Sequence, residues 1–192
     1  MMIDAERKIK LCLIGLLLFL FAVGLCANLS YPLMWGDESE TAMFGKRVLS
    51  YGYPKIHDGK NIVFYNNWIE PELVIDRNHD AYVTTTWGHY YVAALGILLT
   101  KLTSDIYTKT FMMRLPFVLA GLAGIVLLTV LLAAILPGGV QRNYLFLALC
   151  LLMVLLSISL TLHLREVRYY SLLIFFCLAY IYLFCSYRFL KT

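Results

Sequence analysis

Four long runs of apolar residues constrain this chain more than any other feature. A helix that crosses a bilayer needs roughly 20 residues, and the runs are about 17, 22, 21 and 19 residues long. Hydrophobic residues make up 61% of the chain, which excludes an ordinary soluble domain. The sequence therefore predicts an all-α integral membrane protein, a multi-pass helical bundle with four or five transmembrane helices. The runs are Leu11–Ala27, Leu115–Leu136, Tyr144–Leu164 and Tyr169–Tyr187.

The first run sets the predicted orientation. Arg7, Lys8 and Lys10 precede it, and small residues around Cys26 resemble a signal-peptide cleavage site. Its apolar core of about 17 residues exceeds the roughly 7–15 of a signal peptide, so we expect an uncleaved helix. The positive-inside bias then places the N-terminus in the cytoplasm. We expect the protein in the plasma membrane.

Residues 28–89 form the one long stretch without a spanning run, and we interpret them as the first extracytoplasmic loop. The loop is net acidic and rich in aromatic residues, so it does not resemble a disordered linker. Helical spacing over Glu38–Leu49 predicts a juxtamembrane helix along the membrane surface, with Ala42, Gly45 and Leu49 on one side. Gly52 ends it.

The stretch Gly88–Leu102 has two interpretations. Its apolar part is about 13–15 residues, short for a span and suited to a re-entrant or interfacial helix. If it crosses the membrane, Arg165 and Arg168 lie in the cytoplasm, far from Asp37. The charge bias mildly favours this interpretation. If it does not cross, they emerge beside Asp37.

Two charged groups could carry chemistry. Asp37 and Glu38 follow the first run, where carboxylates can accept a proton near lipid headgroups. Arg165 and Arg168 share a helical face, and their forked guanidinium groups suit phosphate oxygens, with Glu166 able to hold one arginine in place. The simpler interpretation is that the acids are solvated and the arginines anchor a helix end. A net charge of +4 without a basic stripe gives no indication of a nucleic-acid partner.

Five motifs, in order, resemble the N-terminal part of a GT-C superfamily membrane glycosyltransferase. The most similar branch contains the dolichyl-phosphate-mannose protein mannosyltransferases and the bacterial aminoarabinose transferases. The resemblance covers residues 10–187, although the family's element before the second helix differs here. The motifs are Trp35–Glu38, Gly52–Pro54, Thr86–Tyr91, Met113–Leu122 and Leu164–Leu172.

The resemblance implies transfer of a sugar from a polyprenyl-phosphate donor to a lipid, glycan or protein acceptor at the outer membrane face. The family's acidic residue matches Asp37, with Glu38 as its neighbour, and acts as a general base or helps to hold a divalent metal cation. The arginines near the donor phosphate match Arg114, Arg165 or Arg168. Glu166 and Tyr169, from the same run as Arg168, are expected in the substrate site.

Family members are several hundred residues long, so residues 1–192 are expected to be the N-terminal part of a GT-C-like transmembrane domain. The alternative is a small non-catalytic membrane protein, such as a transporter subunit or an assembly partner, in which the charges only set topology. Transport predicts polar residues in the middle of spans, and these runs contain few.

Overall fold

The computed structural model describes residues 2–63, 75–136 and 139–189. Within these ranges most residues lie in helices, and a short two-stranded antiparallel sheet is formed by β1 (Ile75–Asp76) and β2 (Ala81–Tyr82). The all-α, multi-pass fold predicted from the sequence is confirmed. The helices are α1 (Met2–Cys26), α2 (Gly36–Tyr51), α3 (Gly88–Thr100), α4 (Ile106–Ile135), α5 (Gly139–Leu156), α6 (Ile158–Arg165) and α7 (Tyr170–Phe189).

Three of the described helices are long and apolar enough to cross a membrane, namely α1, α4 and α7. Helices α5 and α6 are long enough to cross only if they are taken together, and the chain bends by 68° between them. The described part of the chain therefore supplies three spans, or four if the bent pair forms one. The lower predicted number of four is reached only in the second case.

The bend corrects the expectation of one continuous helix over Tyr144–Leu164. The break falls at Ser157, whose Oγ accepts a hydrogen bond from the backbone N–H of Leu160 at 3.4 Å. That is the geometry of a serine that caps the start of a new helix, here α6. Hydropathy alone does not detect it, because the residues on both sides of Ser157 are apolar.

The chain divides into two compact units. The long-helix unit comprises residues 1–27, 118–165 and 170–192, and the loop unit comprises residues 28–117 and 166–169. In the long-helix unit, glycines allow close helix packing. A Cβ on Gly121 would lie 3.0 Å from the side chain of Leu164, and one on Gly124 would lie 3.1 Å from Ile174. Small residues at such contacts are typical of helices packed within a bilayer.

The loop unit is built on the packing of α2 against α3. A Cβ on Gly45 would lie 2.9 Å from Ala93, so only glycine fits between the two backbones. Beside this contact the ring of Phe44 stacks on Tyr82 at 4.8 Å and lies 4.9 Å from Tyr90. These three side chains are buried and form the centre of the unit's core.

Helix α2 confirms the helix predicted over Glu38–Leu49 and extends it at both ends. Gly52 ends it in the left-handed conformation at φ 83°, and its N–H donates to the Val48 carbonyl at 2.8 Å. Of the three residues predicted on one side of the helix, Ala42 is buried and Gly45 packs against Ala93 of α3, whereas Leu49 is 42% exposed.

Helix α3 bears on the ambiguous stretch Gly88–Leu102. It has 13 residues. At 1.5 Å per residue that gives roughly 20 Å, against a hydrocarbon core of roughly 30 Å. Its length therefore favours the interpretation in which this stretch does not cross the membrane. Part of the predicted extracytoplasmic loop, residues 64–74, lies outside the described residues, as do residues 137 and 138, which follow the predicted run Leu115–Leu136.

Candidate functional site

The innermost part of the candidate site is an ion pair between Glu38 and Arg114. Arg114 donates from Nε to Glu38 Oε1 at 3.0 Å and from Nη2 to Oε2 at 2.7 Å, a bidentate pairing of guanidinium and carboxylate. The Glu38 side chain has no exposed surface and that of Arg114 is 7% exposed. Nη1 of Arg114 donates to the carbonyls of Leu29 at 2.8 Å and Pro32 at 2.9 Å. The arginine thus links α4 to α2 and to the segment before α2.

Glu38 also fixes the short connection between α6 and α7. The backbone N–H of Val167 donates to Glu38 Oε1 at 2.9 Å, and the Val167 side chain is fully buried. The N–H of Arg168 donates to the carbonyl of Glu166 at 2.8 Å, which turns the chain at this point. One buried carboxylate therefore orients the residue that precedes Arg168.

The result is that Arg168 lies against Asp37. Its Nη1 forms an ion pair with Asp37 Oδ2. The side chain of Asp37 remains 47% exposed, whereas that of Arg168 is 20% exposed. Asp37 lies in the first turn of α2, where the helix dipole favours a negative charge. It is therefore the carboxylate of the Asp37-Glu38 motif that a molecule from outside can reach.

Two aromatic rings flank the Arg168 guanidinium. Its central carbon lies 5.9 Å from the centroid of the Trp35 ring and 5.7 Å from that of Tyr169, within the range of cation–π attraction. Trp35 is 51% exposed and Tyr169 is 37% exposed. The arrangement presents a charged pair between two exposed aromatic surfaces.

Two further titratable side chains face this pair. Glu40 is one helical turn beyond Asp37, and burial together with the negative charge of Asp37 raises its pKa, against the opposing effect of Arg168. Burial, with a contribution from Arg168, lowers the pKa of His89 to about 4, so this imidazole is neutral at pH 7. The His89 ring meets Tyr169 edge-on at 5.9 Å.

The residues predicted from sequence thus divide into three groups. Asp37, Arg168 and Tyr169 come together at an accessible point of the loop unit. Glu38 and Arg114 lie behind them, buried and bonded to each other, so we assign them a positioning role instead of contact with substrate. Arg165 ends α6 in the long-helix unit, and Glu166 contributes its carbonyl to the turn.

Sequence reasoning missed Glu40 and His89. The i, i+3 spacing of Asp37 and Glu40 could have revealed the first, since residues three apart share a helical face. No local pattern points to His89, because it reaches the site through the packing of α3 on α2. The sequence also predicted a possible metal ion at Asp37. In the described ranges, no group of three His, Cys, Asp or Glu side chains is arranged to hold a metal ion.

No protein family model matches the chain, and no curated protein or solved structure shows significant similarity to it.

Proposed function

We propose that the protein is a glycosyltransferase that moves a sugar from a polyprenyl-phosphate donor to an acceptor at the outer face of the membrane. The observation that carries the proposal is the accessible Asp37–Arg168 pair between Trp35 and Tyr169, built on a buried Glu38–Arg114 scaffold. It combines a carboxylate that can act as a base with a phosphate-binding guanidinium, in a chain whose long helices suit a bilayer.

The two members of the pair have complementary roles in such a transfer. Displacement at the anomeric carbon forms a bond to the acceptor oxygen and breaks the bond to the phosphate oxygen. Asp37 takes the proton of the acceptor hydroxyl, and the lipid phosphate leaves with the electron pair. Arg168 stabilises the charge that develops on the leaving phosphate.

The ion pair also gives the site an order of events. Without donor, the Arg168 guanidinium is paired with the Asp37 carboxylate. A donor phosphate competes for the same N–H donors and draws the guanidinium away from the carboxylate. The Asp37 carboxylate is then available to an acceptor hydroxyl when the donor is in place.

The topology of the helices is compatible with an outer-face site. Asp37 and Arg168 lie in one unit, so an even number of crossings separates them, and α4 with the bent pair α5–α6 supplies two. The basic residues near the start of α1 (Arg7, Lys8 and Lys10), together with Arg142 and Arg188, then share the cytoplasmic side, as the positive-inside rule favours. Lys101 and Lys109 fall on the outer side. They belong to the long stretch between α1 and α4, and the positive-inside rule has little force in long stretches.

A divalent cation fits this site only with help from the substrate. Asp37 and Glu40 supply carboxylates on one helical face, and Mg²⁺ commonly binds through one or two carboxylates together with substrate phosphate oxygens. Such an ion would add Lewis-acid stabilisation of the leaving phosphate. The raised pKa of Glu40 would then make metal affinity depend on pH, because a metal ligand must be deprotonated.

One observation favours the alternative of a non-catalytic membrane protein. Both carboxylates of the Asp37-Glu38 motif are already paired with arginines, as in ion pairs that only hold helices together. In that case neither Asp37 nor Arg168 would respond to a lipid phosphate.

Donor binding separates the two. The protein in nanodiscs is titrated with polyprenyl-phosphate mannose, polyprenyl-phosphate glucose and polyprenyl-phosphate aminoarabinose, and binding is measured directly. At least one donor should bind, and Arg168→Lys should weaken it by roughly 1–3 kcal/mol, because lysine keeps the charge and loses the fork. Lys60→Arg, at an exposed position of the same unit, is the control. Absence of binding for all three donors, or equal binding by Arg168→Lys, would favour the alternative.

A further inference from the structure

The loop unit also contains a pocket that is separate from the Asp37–Arg168 pair. It is a pocket of about 320 Å³, near the lower end of the roughly 300–1,000 Å³ typical of small-molecule sites. No residue of the site described above lines it. Its lining residues are Tyr53, Asp76, His79, Ala81, Val83 and Trp87.

The aromatic walls of this pocket are held in place by hydrogen bonds. The Tyr53 hydroxyl donates to the carbonyl of His79 at 2.8 Å, and Nε1 of Trp87 donates to the carbonyl of Tyr82 at 2.7 Å. The Trp87 ring also packs against the core cluster around Tyr90. Both rings are therefore positioned before any ligand arrives, which reduces the entropy lost on binding.

One polar pair lies at the rim. Nδ1 of His79 and Oδ2 of Asp76 are 2.7 Å apart, with the His79 side chain 72% exposed and that of Asp76 37% exposed. The hydrogen bonds from His79 and from the N–H of Asn78 lower the pKa of Asp76. The rim thus offers carboxylate oxygens that accept hydrogen bonds and an imidazole beside them.

We propose that this pocket binds a single pyranose ring of a glycan. A pyranose has an apolar C–H face that packs on aromatic rings and an edge of hydroxyl groups that bond to carboxylate and imidazole. Fixed Tyr53 and Trp87 rings, the small side chains of Ala81 and Val83 as a floor, and the Asp76–His79 pair at the rim match those two properties.

The same lining disfavours two other ligands. A lipid chain has no group for the Asp76 carboxylate, and a phosphate would be repelled by it. A quaternary ammonium also suits aromatic rings, so choline is the comparison ligand in the test. The inference stands independently of the transfer reaction, because it requires only recognition of a sugar.

Saturation-transfer NMR on the protein in nanodiscs tests this directly. The probes are the methyl pyranosides of glucose, mannose, galactose, arabinose and N-acetylglucosamine, with choline as a cationic comparison. At least one pyranoside should receive saturation from the wild-type protein. Val83→Trp should weaken its binding by roughly tenfold or more, because the larger side chain fills the pocket.

Val83 is 46% exposed, so Val83→Trp leaves the core intact. A second variant, Asp76→Asn, should also weaken pyranoside binding without changing the aromatic walls. The matched control is Ile62→Trp at a position 48% exposed and outside the pocket. Ile62→Trp and Asp37→Asn should both bind like the wild type. The proposal would be overturned if choline alone received saturation or if no pyranoside did. It would also be overturned if a pyranoside received equal saturation from the wild type and from Val83→Trp.

Discussion

The buried pair Glu38–Arg114 makes a quantitative prediction about stability. Arg114→Met removes one member and leaves the Glu38 carboxylate, which has no exposed surface, with one described donor, the N–H of Val167. The carbonyls of Leu29 and Pro32 also lose a donor. Breaking a buried pair in this way costs about 3–5 kcal/mol, because an uncompensated charge remains in a poorly polarisable environment.

That cost converts to a measurable shift in melting temperature. Chains of this size lose roughly 2–4 °C of Tm per kcal/mol, so Arg114→Met should melt roughly 6–20 °C below the wild type in the same detergent. Thermal unfolding followed by size-exclusion chromatography with fluorescence detection measures it. Arg7→Met, at an exposed position before the apolar part of α1, is the matched control and should change little.

A double variant distinguishes the charge effect from lost packing. Glu38→Leu with Arg114→Met leaves no unpaired charge, so part of the stability should return. The recovery should be incomplete, because Leu29, Pro32 and Val167 still lack their side-chain partners. An Arg114→Met protein that melts within 2 °C of the wild type, or a double variant less stable than either single one, would refute this reasoning (a shift of about 2 °C being under ~1 kcal/mol).

Three other perturbations follow from the loop unit. The pKa of Glu40 is raised in the folded protein. Its protonated form therefore favours folding below the ordinary carboxyl pKa of 4.5, and that contribution is lost as pH rises through the folded pKa. Glu40→Gln should therefore raise Tm at pH 8 and lose that advantage near pH 4. Gly45→Val places a Cβ about 2.9 Å from Ala93 and should lower Tm or abolish folded expression, whereas Gly59→Val, where a Cβ has open space but φ is +90°, should cost less. In a protein without its native cysteines, Lys60→Cys should react with an impermeant thiol reagent in intact cells, whereas Arg142→Cys should react only after lysis; the reverse pattern would invert the topology.

The sequence predicted what depends on local pattern. Long apolar runs identified α1, α4 and α7, and the glycine at position 52 marked the end of α2, because hydropathy and backbone freedom are properties of short segments. The break at Ser157 was missed, since a serine cap among apolar residues leaves the mean hydropathy of the run almost unchanged. Helical spacing grouped Leu49 with Ala42 and Gly45 but did not show which of them are buried, because the neighbour that packs on α2 is α3, whose position no local pattern gives.

The residue types of the candidate site were predictable, and their pairing was not. Residue types alone suggested a carboxylate and a guanidinium, and the family resemblance pointed to Asp37 and left Arg114, Arg165 and Arg168 as candidate partners. Asp37 and Arg168 are 131 residues apart, and Glu38 and Arg114 are 76 apart. Such distances in sequence are closed by tertiary packing, so one sequence does not show which arginine meets which carboxylate. It also does not show that Glu38 is buried while Asp37 is exposed.

The central claim is that Asp37 is the base and Arg168 the phosphate ligand of one site. Asp37→Asn separates those roles, because it removes the base and releases Arg168 from its ion pair. Transfer from the polyprenyl-phosphate donor that binds the wild type should fall by about 10²-fold or more, while affinity for that donor is kept or increased. Parallel measurement of single-turnover transfer and donor affinity in nanodiscs, at equal protein folding, decides the matter. Transfer within a few-fold of the wild type, or a loss of donor affinity that matches the loss of transfer, would contradict the account.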